Sequence, residues 1–160
     1  MKRELVLILF VAFAVLFRII PHPPNFAPIT ALALFSGVTF SNRLIGILVP
    51  LTAMVISDFF LGFSSITLWV YAGFIGINFL GSYLKQINLK SIFLSSCIFF
   101  VVSNFGVWLL GYPLTLEGFI LCFTMAIPFF GYSIAGDLFY SLVLKYSFKY
   151  TENKWLTTAY

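Results

Sequence analysis

The stretch LIGILVPLTAMVISDFFLGF, residues 44–63, decides the fold class of this chain. Asp58 is its only charged residue, and Pro50 lies near its beginning. A helix that crosses a membrane needs about 20 predominantly apolar residues in a row. We therefore expect this segment to span a membrane as an α-helix.

The rest of the chain shares this apolar character. Its 160 residues are 61% hydrophobic and 9% charged, with a formal net charge of +4. Soluble domains are about 45–50% apolar and about 25% charged. So few charged side chains could not cover a soluble globule of this size. The composition excludes a soluble domain, a disordered chain, a disulfide scaffold and a typical nucleic-acid-binding protein.

Polar, proline and glycine residues divide the chain into six apolar segments. The predicted membrane spans cover residues 5–20, 29–40, 44–63, 66–84, 91–111 and 119–144, and a tail follows at 146–160. The first begins like a signal peptide, but no cleavage site follows, so we interpret it as a retained helix. The second is only about 18 Å long, so it is either sheltered by its neighbours or extends further. The sequence predicts a single all-α domain, an integral membrane bundle of six transmembrane helices.

The basic residues predict the orientation of this bundle. With six spans, all but one of the nine Lys and Arg residues fall on one face, which is cytoplasmic by the positive-inside rule. They are Lys2, Arg3, Arg43, Lys85, Lys90, Lys145, Lys149 and Lys154. Arg18 alone lies opposite. Both termini are then cytoplasmic, and we expect a multi-pass protein of the cytoplasmic (inner) membrane.

Polar residues near the outer face suggest a site. A charge inside a span is costly, so it is either functional or half of a structural pair. Arg18 ends the first helix, Asp58 lies near the outer end of the third, and Asn104 and Trp108 share one face of the fifth. They could form a pocket open to the outside, with the proline-rich residues 21–28 as its lid.

A structural interpretation of the same residues is equally open. Arg18 and Asp58 would then be an ion pair that fastens the first and third helices. Trp69, Tyr71 and Tyr112 would form an aromatic belt at the membrane boundary. His22, the sole histidine, would be an ordinary surface residue of the loop.

A second group of polar residues lies deeper, towards the cytoplasm. Asp137 in the sixth helix must be paired or protonated there, and Asn78 or Arg43 is the expected partner. Proton coupling through Asp137 is the functional alternative. Ala72 with Gly76 and Gly131 with Ala135 have the spacing that marks close helix contacts.

Catalytic signatures are missing from the sequence. It contains no HExxH motif, no paired cysteines and no phosphate-binding loop. Ser133 has no partner histidine nearby, because His22 lies at the other end of the chain. Cys97 and Cys122 are interpreted as buried, inert thiols. We expect no enzyme activity, no metal and no cofactor.

Four motifs carry a resemblance that covers nearly the whole chain. They are Arg18-x-x-Pro21-His22-x-Pro24-Asn25-Phe26-x-Pro28-Ile29, Ser57-Asp58-x-x-Leu61-Gly62, Asn104-Phe105-Gly106-Val107-Trp108 with Tyr112-Pro113-x-Thr115, and Pro128-Phe129-Phe130 with Gly136-Asp137-Leu138-x-Tyr140. The chain resembles a family of small bacterial membrane proteins of unknown function. That family is grouped with the substrate-binding (S) components of energy-coupling-factor vitamin transporters.

The resemblance implies an S-component-like bundle that takes up a vitamin or another small molecule from the external face. Its partners would be that ligand, the lipid bilayer and a transmembrane T component driven by two ATPases, with no nucleic acid. The expected ligand-binding residues are Arg18, His22, Asn25, Asp58, Asn104, Trp108 and Tyr112. Asn78, Asp137 and Tyr140 are expected to be intramembrane polar residues with a structural or coupling role. The alternative is a non-catalytic accessory subunit of a larger membrane complex.

Overall fold

Six α-helices form the fold in the computed structural model, which describes residues 3–152 and the side chains from residue 8 onward. The helices are α1 (Arg3–Ile19), α2 (Ile29–Thr39), α3 (Arg43–Leu61), α4 (Thr67–Leu84), α5 (Leu89–Gly111) and α6 (Leu116–Thr151). No strand occurs among these residues. The predicted all-α fold and its six helices are confirmed for this part of the chain.

The surface of the bundle is suited to lipid. The helices α3, α4, α5 and α6 are each long and apolar enough to cross a membrane. Large apolar side chains point outward from them, and Phe59 and Leu68 are both 79% exposed. Soluble proteins rarely expose extended apolar surfaces, whereas the hydrocarbon of a bilayer accommodates them. The chain is therefore a multi-pass membrane protein.

The short helix α2 is the centre of the bundle. It contacts each of the other five helices, and its residues from Ile29 to Gly37 are all buried. Its 11 residues give a length of about 17 Å, too short to span a bilayer. Because its neighbours enclose it, α2 does not have to reach both membrane surfaces.

Two glycines allow α2 and α4 to touch. A Cβ atom on Gly37 would lie 2.2 Å from the backbone oxygen of Asn78, and one on Gly81 would lie 2.6 Å from that of Leu34. No larger residue fits at either place without a backbone shift. This close contact between α2 and α4 therefore depends on one glycine from each helix.

The small residues singled out from sequence spacing lie elsewhere. A Cβ on Gly131 would meet nothing within 4 Å, and Ala72 and Ala135 are exposed. Gly76 is half-buried and approaches only the end of the Ile98 side chain. Within the described part of the bundle, the Gly131 and Ala135 pair therefore makes no close helix contact, and a contact of this pair with a helix of another protein stays a prediction.

The last helix is longer than predicted. With 36 residues α6 measures about 54 Å, well beyond the roughly 30 Å of a bilayer core. It continues past Leu144, through the first part of the segment that was expected to form a tail. Residues 153–160, with Met1 and Lys2, lie outside the described residues, so the cytoplasmic placement of the termini stays a prediction.

Candidate functional site

Arg18 joins the end of α1 to α3. Its Nη2 lies 2.6 Å from Oδ1 of Asp58, and its Nη1 donates a hydrogen bond to Oγ of Ser57. The Ser57 hydroxyl donates to the carbonyl oxygen of Ala53 at 2.7 Å, so its lone pairs are free to face the guanidinium. The ion pair suggested by the sequence is formed, and Ser57 adds a contact that the sequence analysis missed.

Asp58 is held from a second side by α4. The hydroxyl of Tyr71 donates to Oδ2 of Asp58 at 2.7 Å. Both carboxylate oxygens therefore have donors, and the Asp58 side chain is only 4% exposed. The assignment of Tyr71 to an aromatic belt is incomplete, because its hydroxyl links α4 to the ion pair.

A cavity of about 320 Å³ lies beside the ion pair, and we name it the Arg18 cavity. Sites for small molecules have volumes of about 300–1,000 Å³, mostly apolar walls and a few polar groups. The polar residues of this wall are Arg18, His22, Asn25, Thr30 and Ser64. Its apolar side chains include Met54, Leu61, Ile66, Val70, Phe74 and Phe99. Its volume and lining match those of a small-molecule site.

A smaller cavity of about 150 Å³ adjoins it. The two share Asn25, Ile66, Val70 and Phe99, and the smaller one adds Asn104. Asn25 stands where they meet and has a positive φ of 61°, a conformation that asparagine tolerates better than most residues. Arg18, His22, Asn25 and Asn104 are thus brought to one pair of neighbouring cavities.

The proline-rich loop between α1 and α2 is anchored to α6. The Phe26 ring packs on Phe139 and Tyr140, with centroid distances of 6.2 and 5.5 Å. A Cβ on Gly136 would lie 3.1 Å from Cα of Phe26, so this glycine makes room for the loop. Two of the four sequence motifs therefore meet here, and residues of the loop line the Arg18 cavity.

His22 lines the Arg18 cavity, and a hydrogen bond within its own loop indicates which ring nitrogen carries the proton. Its Nδ1 lies 2.8 Å from the carbonyl oxygen of Pro23. A carbonyl oxygen can only accept, so Nδ1 carries the proton in this bond. In the neutral ring Nε2 is then left as an acceptor.

Trp108 and Tyr112 are not among the residues that line either cavity. The Trp108 indole donates from Nε1 to the carbonyl oxygen of Pro113 at 3.1 Å, and its ring packs against Phe105 and Phe119. Tyr112 follows the last residue of α5. Trp108 therefore lies in the last turn of α5 and Tyr112 directly after it, away from both cavities.

Asp137 lies directly behind the wall of the Arg18 cavity. The Ser96 hydroxyl donates to its Oδ2 at 2.6 Å, and Thr30, which lines the cavity, also faces this carboxyl group. Oδ1 has no hydrogen-bond partner among the described residues. The partner of Asp137 is therefore Ser96, and neither Asn78 nor Arg43 fills that role.

Asn78 instead ties three helices together. Its amide on α4 donates to the carbonyl oxygen of Gly46 on α3 at 2.9 Å and to Oγ of Ser36 on α2 at 3.0 Å. The Ser36 hydroxyl donates in turn to the carbonyl oxygen of Ala33. Asn78 is 2% exposed, so it is a structural clamp around α2.

Potential metal ligands and thiols are scattered through the described part of the chain. No group of three or more His, Cys, Asp or Glu side chains there could hold a metal ion. Cys97 and Cys122 are free thiols. The polar residues of the Arg18 cavity that the sequence analysis missed are hydroxyl-bearing, namely Thr30 and Ser64. The only sequence signal for Thr30 is its place directly after the proline-rich loop.

The fold and the cavity together define a multi-pass helical membrane protein with a pocket of small-molecule size at one end of its central helix. A family model, the family of unknown function DUF6580, matches residues 1–158. The chain therefore belongs to this family. No curated protein and no solved structure matches it. The likeness to S components stays a prediction.

Proposed function

We propose that this protein is the substrate-binding component of an uptake transporter of the energy-coupling-factor type, and that it captures a small, vitamin-like molecule from the external face. The observation that carries the proposal is the Arg18 cavity. It combines a suitable volume with a mostly apolar wall and a few polar groups. It also lies at the end of the bundle opposite to the one where most of the basic residues are expected. The resemblance to S components gives the proposal its transport context.

Charge at the site favours particular ligands. Asp58 neutralises Arg18 at 2.6 Å, so the guanidinium in the cavity wall is already paired with a carboxylate. Arg18, His22 and Asn25 can each form hydrogen bonds to a ligand. A neutral or zwitterionic polar molecule with an apolar ring fits these contacts better than a multiply charged anion.

Release of the ligand would need a partner. The sequence has no nucleotide-binding motif, so energy for transport would come from a T component with two ATPases. An accessory subunit without a ligand is the competing function. That function requires a fixed protein partner and leaves the Arg18 cavity without a role.

The proposal can be tested by blocking the cavity. Val70 lines both cavities, and Val70→Trp would fill them, with Val70→Phe as a milder variant. Leu68→Trp is the matched control, because Leu68 is 79% exposed on the same helix. Thermal unfolding in detergent would be measured with a panel of vitamins, nucleosides and amino acids.

We expect one chemical class to raise the melting temperature of the wild type and of Leu68→Trp but not that of Val70→Trp. A ligand at 100 times its Kd stabilises a protein by about 2.7 kcal/mol, which is a shift of several degrees. Equal responses of all three proteins to every compound would contradict the proposal.

A further inference from the structure

A second cavity lies at the other end of α2. Its volume is about 400 Å³. Ile29 and Thr30, at the start of α2, line the Arg18 cavity, whereas Gly37 to Thr39, at its end, line this one. The two cavities share no residue and lie about one length of α2 apart. We name this second cavity the Arg43 cavity.

Its polar side chains come from several elements, and Thr39 is the last residue of α2. Ser41 lies in the turn after α2, Arg43 is the first residue of α3, and Ser82 and Lys85 lie at the end of α4. No carboxylate of the described residues lines the cavity. Neither Arg43 nor Lys85 forms an ion pair within the described part of the chain. Two cations therefore share one concave site, and no described side chain supplies a counter-charge.

Helix ends do not cancel this charge. The carboxyl ends of α2 and α4 meet here, each worth about half a negative charge, while the amino end of α3 adds about half a positive charge. Arg43 and Lys85 contribute two full positive charges. The sum stays positive by about one and a half charges, so the cavity attracts an anion.

The surroundings place this anion at a lipid surface. Leu44 follows Arg43 and is 68% exposed, and Tyr83, two residues before Lys85, is 83% exposed. Lys145 reaches the same end of the bundle, where its Nζ donates to the carbonyl oxygen of Ile87 at 2.8 Å. Basic pockets that border lipid-exposed helices are suited to anionic headgroups.

We propose that the Arg43 cavity binds a phosphate group, that of an anionic phospholipid headgroup. The guanidinium of Arg43 can hold two phosphate oxygens at once, and the ammonium of Lys85 adds a point charge. The Ser41 hydroxyl lies on the same wall as a further donor, whereas the Ser82 hydroxyl already donates to the carbonyl oxygen of Phe79 at 2.8 Å. The lipid tails would lie beside the exposed apolar residues around Leu44.

The test compares lipid retention by the full-length protein. Wild type, Arg43→Gln, Lys85→Gln and Lys90→Gln would be placed in nanodiscs of phosphatidylcholine mixed with phosphatidylglycerol. Native mass spectrometry then counts the phosphatidylglycerol molecules that each protein keeps. Lys90→Gln is the matched control, since Lys90 is an exposed cation in the first turn of α5 and does not line the cavity. Circular dichroism checks that each variant keeps its helices.

Each cavity variant should lower phosphatidylglycerol retention about fivefold, because a basic residue near an anionic lipid contributes about that factor. The Lys90→Gln protein should retain as much as the wild type. Equal retention in all four proteins, or an equal loss in the control, would overturn the site. If inorganic phosphate binds the wild type through Arg43 and Lys85 but no phosphatidylglycerol is retained, the site takes free phosphate. That result would overturn the lipid headgroup as the source of the phosphate.

Discussion

The guanidinium of Arg18 and the carboxylate of Asp58 form an ion pair at 2.6 Å that joins α1 to α3 beside the Arg18 cavity. The two partners are buried unequally, with side-chain exposures of 20% for Arg18 and 4% for Asp58. Removing Arg18 therefore leaves a deeply buried charge without its partner, whereas removing Asp58 leaves a charge that is partly exposed. The first prediction follows from this difference in burial.

We expect Arg18→Gln to destabilise the protein more than Asp58→Asn does. The first change leaves a buried carboxylate with one hydroxyl donor from Tyr71, which costs about 3 kcal/mol. The second leaves an amide that still accepts from Tyr71, while Arg18 can turn towards water, at a cost of about 1–2 kcal/mol. Thermal unfolding in detergent measures both. The double variant should be more stable than the sum of the two losses predicts, and strict additivity would contradict the direct pairing.

The contact between α2 and α4 gives a second prediction. Gly37→Ala places a methyl group against the backbone oxygen of Asn78 and should cost more than about 2 kcal/mol. Gly131→Ala is the matched control, because its methyl group meets open space. The control should leave the melting temperature unchanged or slightly raised, since alanine favours helix. Similar effects of the two substitutions would contradict the close approach at Gly37.

Asn78 and Asn104 should differ sharply when each is replaced by alanine. Asn78→Ala removes hydrogen bonds to two other helices and leaves the buried carbonyl oxygen of Gly46 without this donor, at a cost of about 2 kcal/mol. The amide of Asn104 donates to the carbonyl oxygen of Phe100 in its own helix. Asn104→Ala should therefore cost less than about 1 kcal/mol. The unfolding temperatures of the two variants are measured side by side. Equal values would contradict the structural role of Asn78 in joining the three helices.

Asp137 should tolerate substitution by asparagine. No basic side chain of the described residues pairs with it, and an amide oxygen can accept the hydrogen bond from Ser96 as the carboxyl does. Burial of an unpaired charge is unfavourable, so Asp137→Asn should keep or raise the melting temperature near pH 7. Asp58→Asn is the comparison, because Asp58 does have a cation. A larger loss at Asp137 than at Asp58 would mean that Asp137 has a cationic partner.

The sequence predicted the helices well because each is an apolar segment bounded by polar or proline residues. It left open whether α2 is sheltered by its neighbours or extends further, since a segment that is apolar on every face gives no sign of whether it faces lipid or protein. The contact of Gly37 with α4 was missed for a related reason. It pairs glycines from two different helices, so no spacing within either helix marks it.

The candidate site was predictable only in part. Arg18 and Asp58 could be paired from sequence because they are the two opposite charges at the outer end. Thr30 and Ser57 carry no such signal, because hydroxyl residues are common in apolar helices and usually bond to their own backbone. Their roles depend on which helix faces which, and this became visible only in three dimensions.

Native mass spectrometry of the protein extracted gently from its own membrane tests the central claim most directly. We predict that the wild type and Leu68→Trp carry a bound small molecule that is released on activation, and that Val70→Trp does not. Its mass would identify the substrate class. A protein without any small molecule, bound instead to a fixed set of other membrane subunits, would contradict the claim and assign this chain an accessory role.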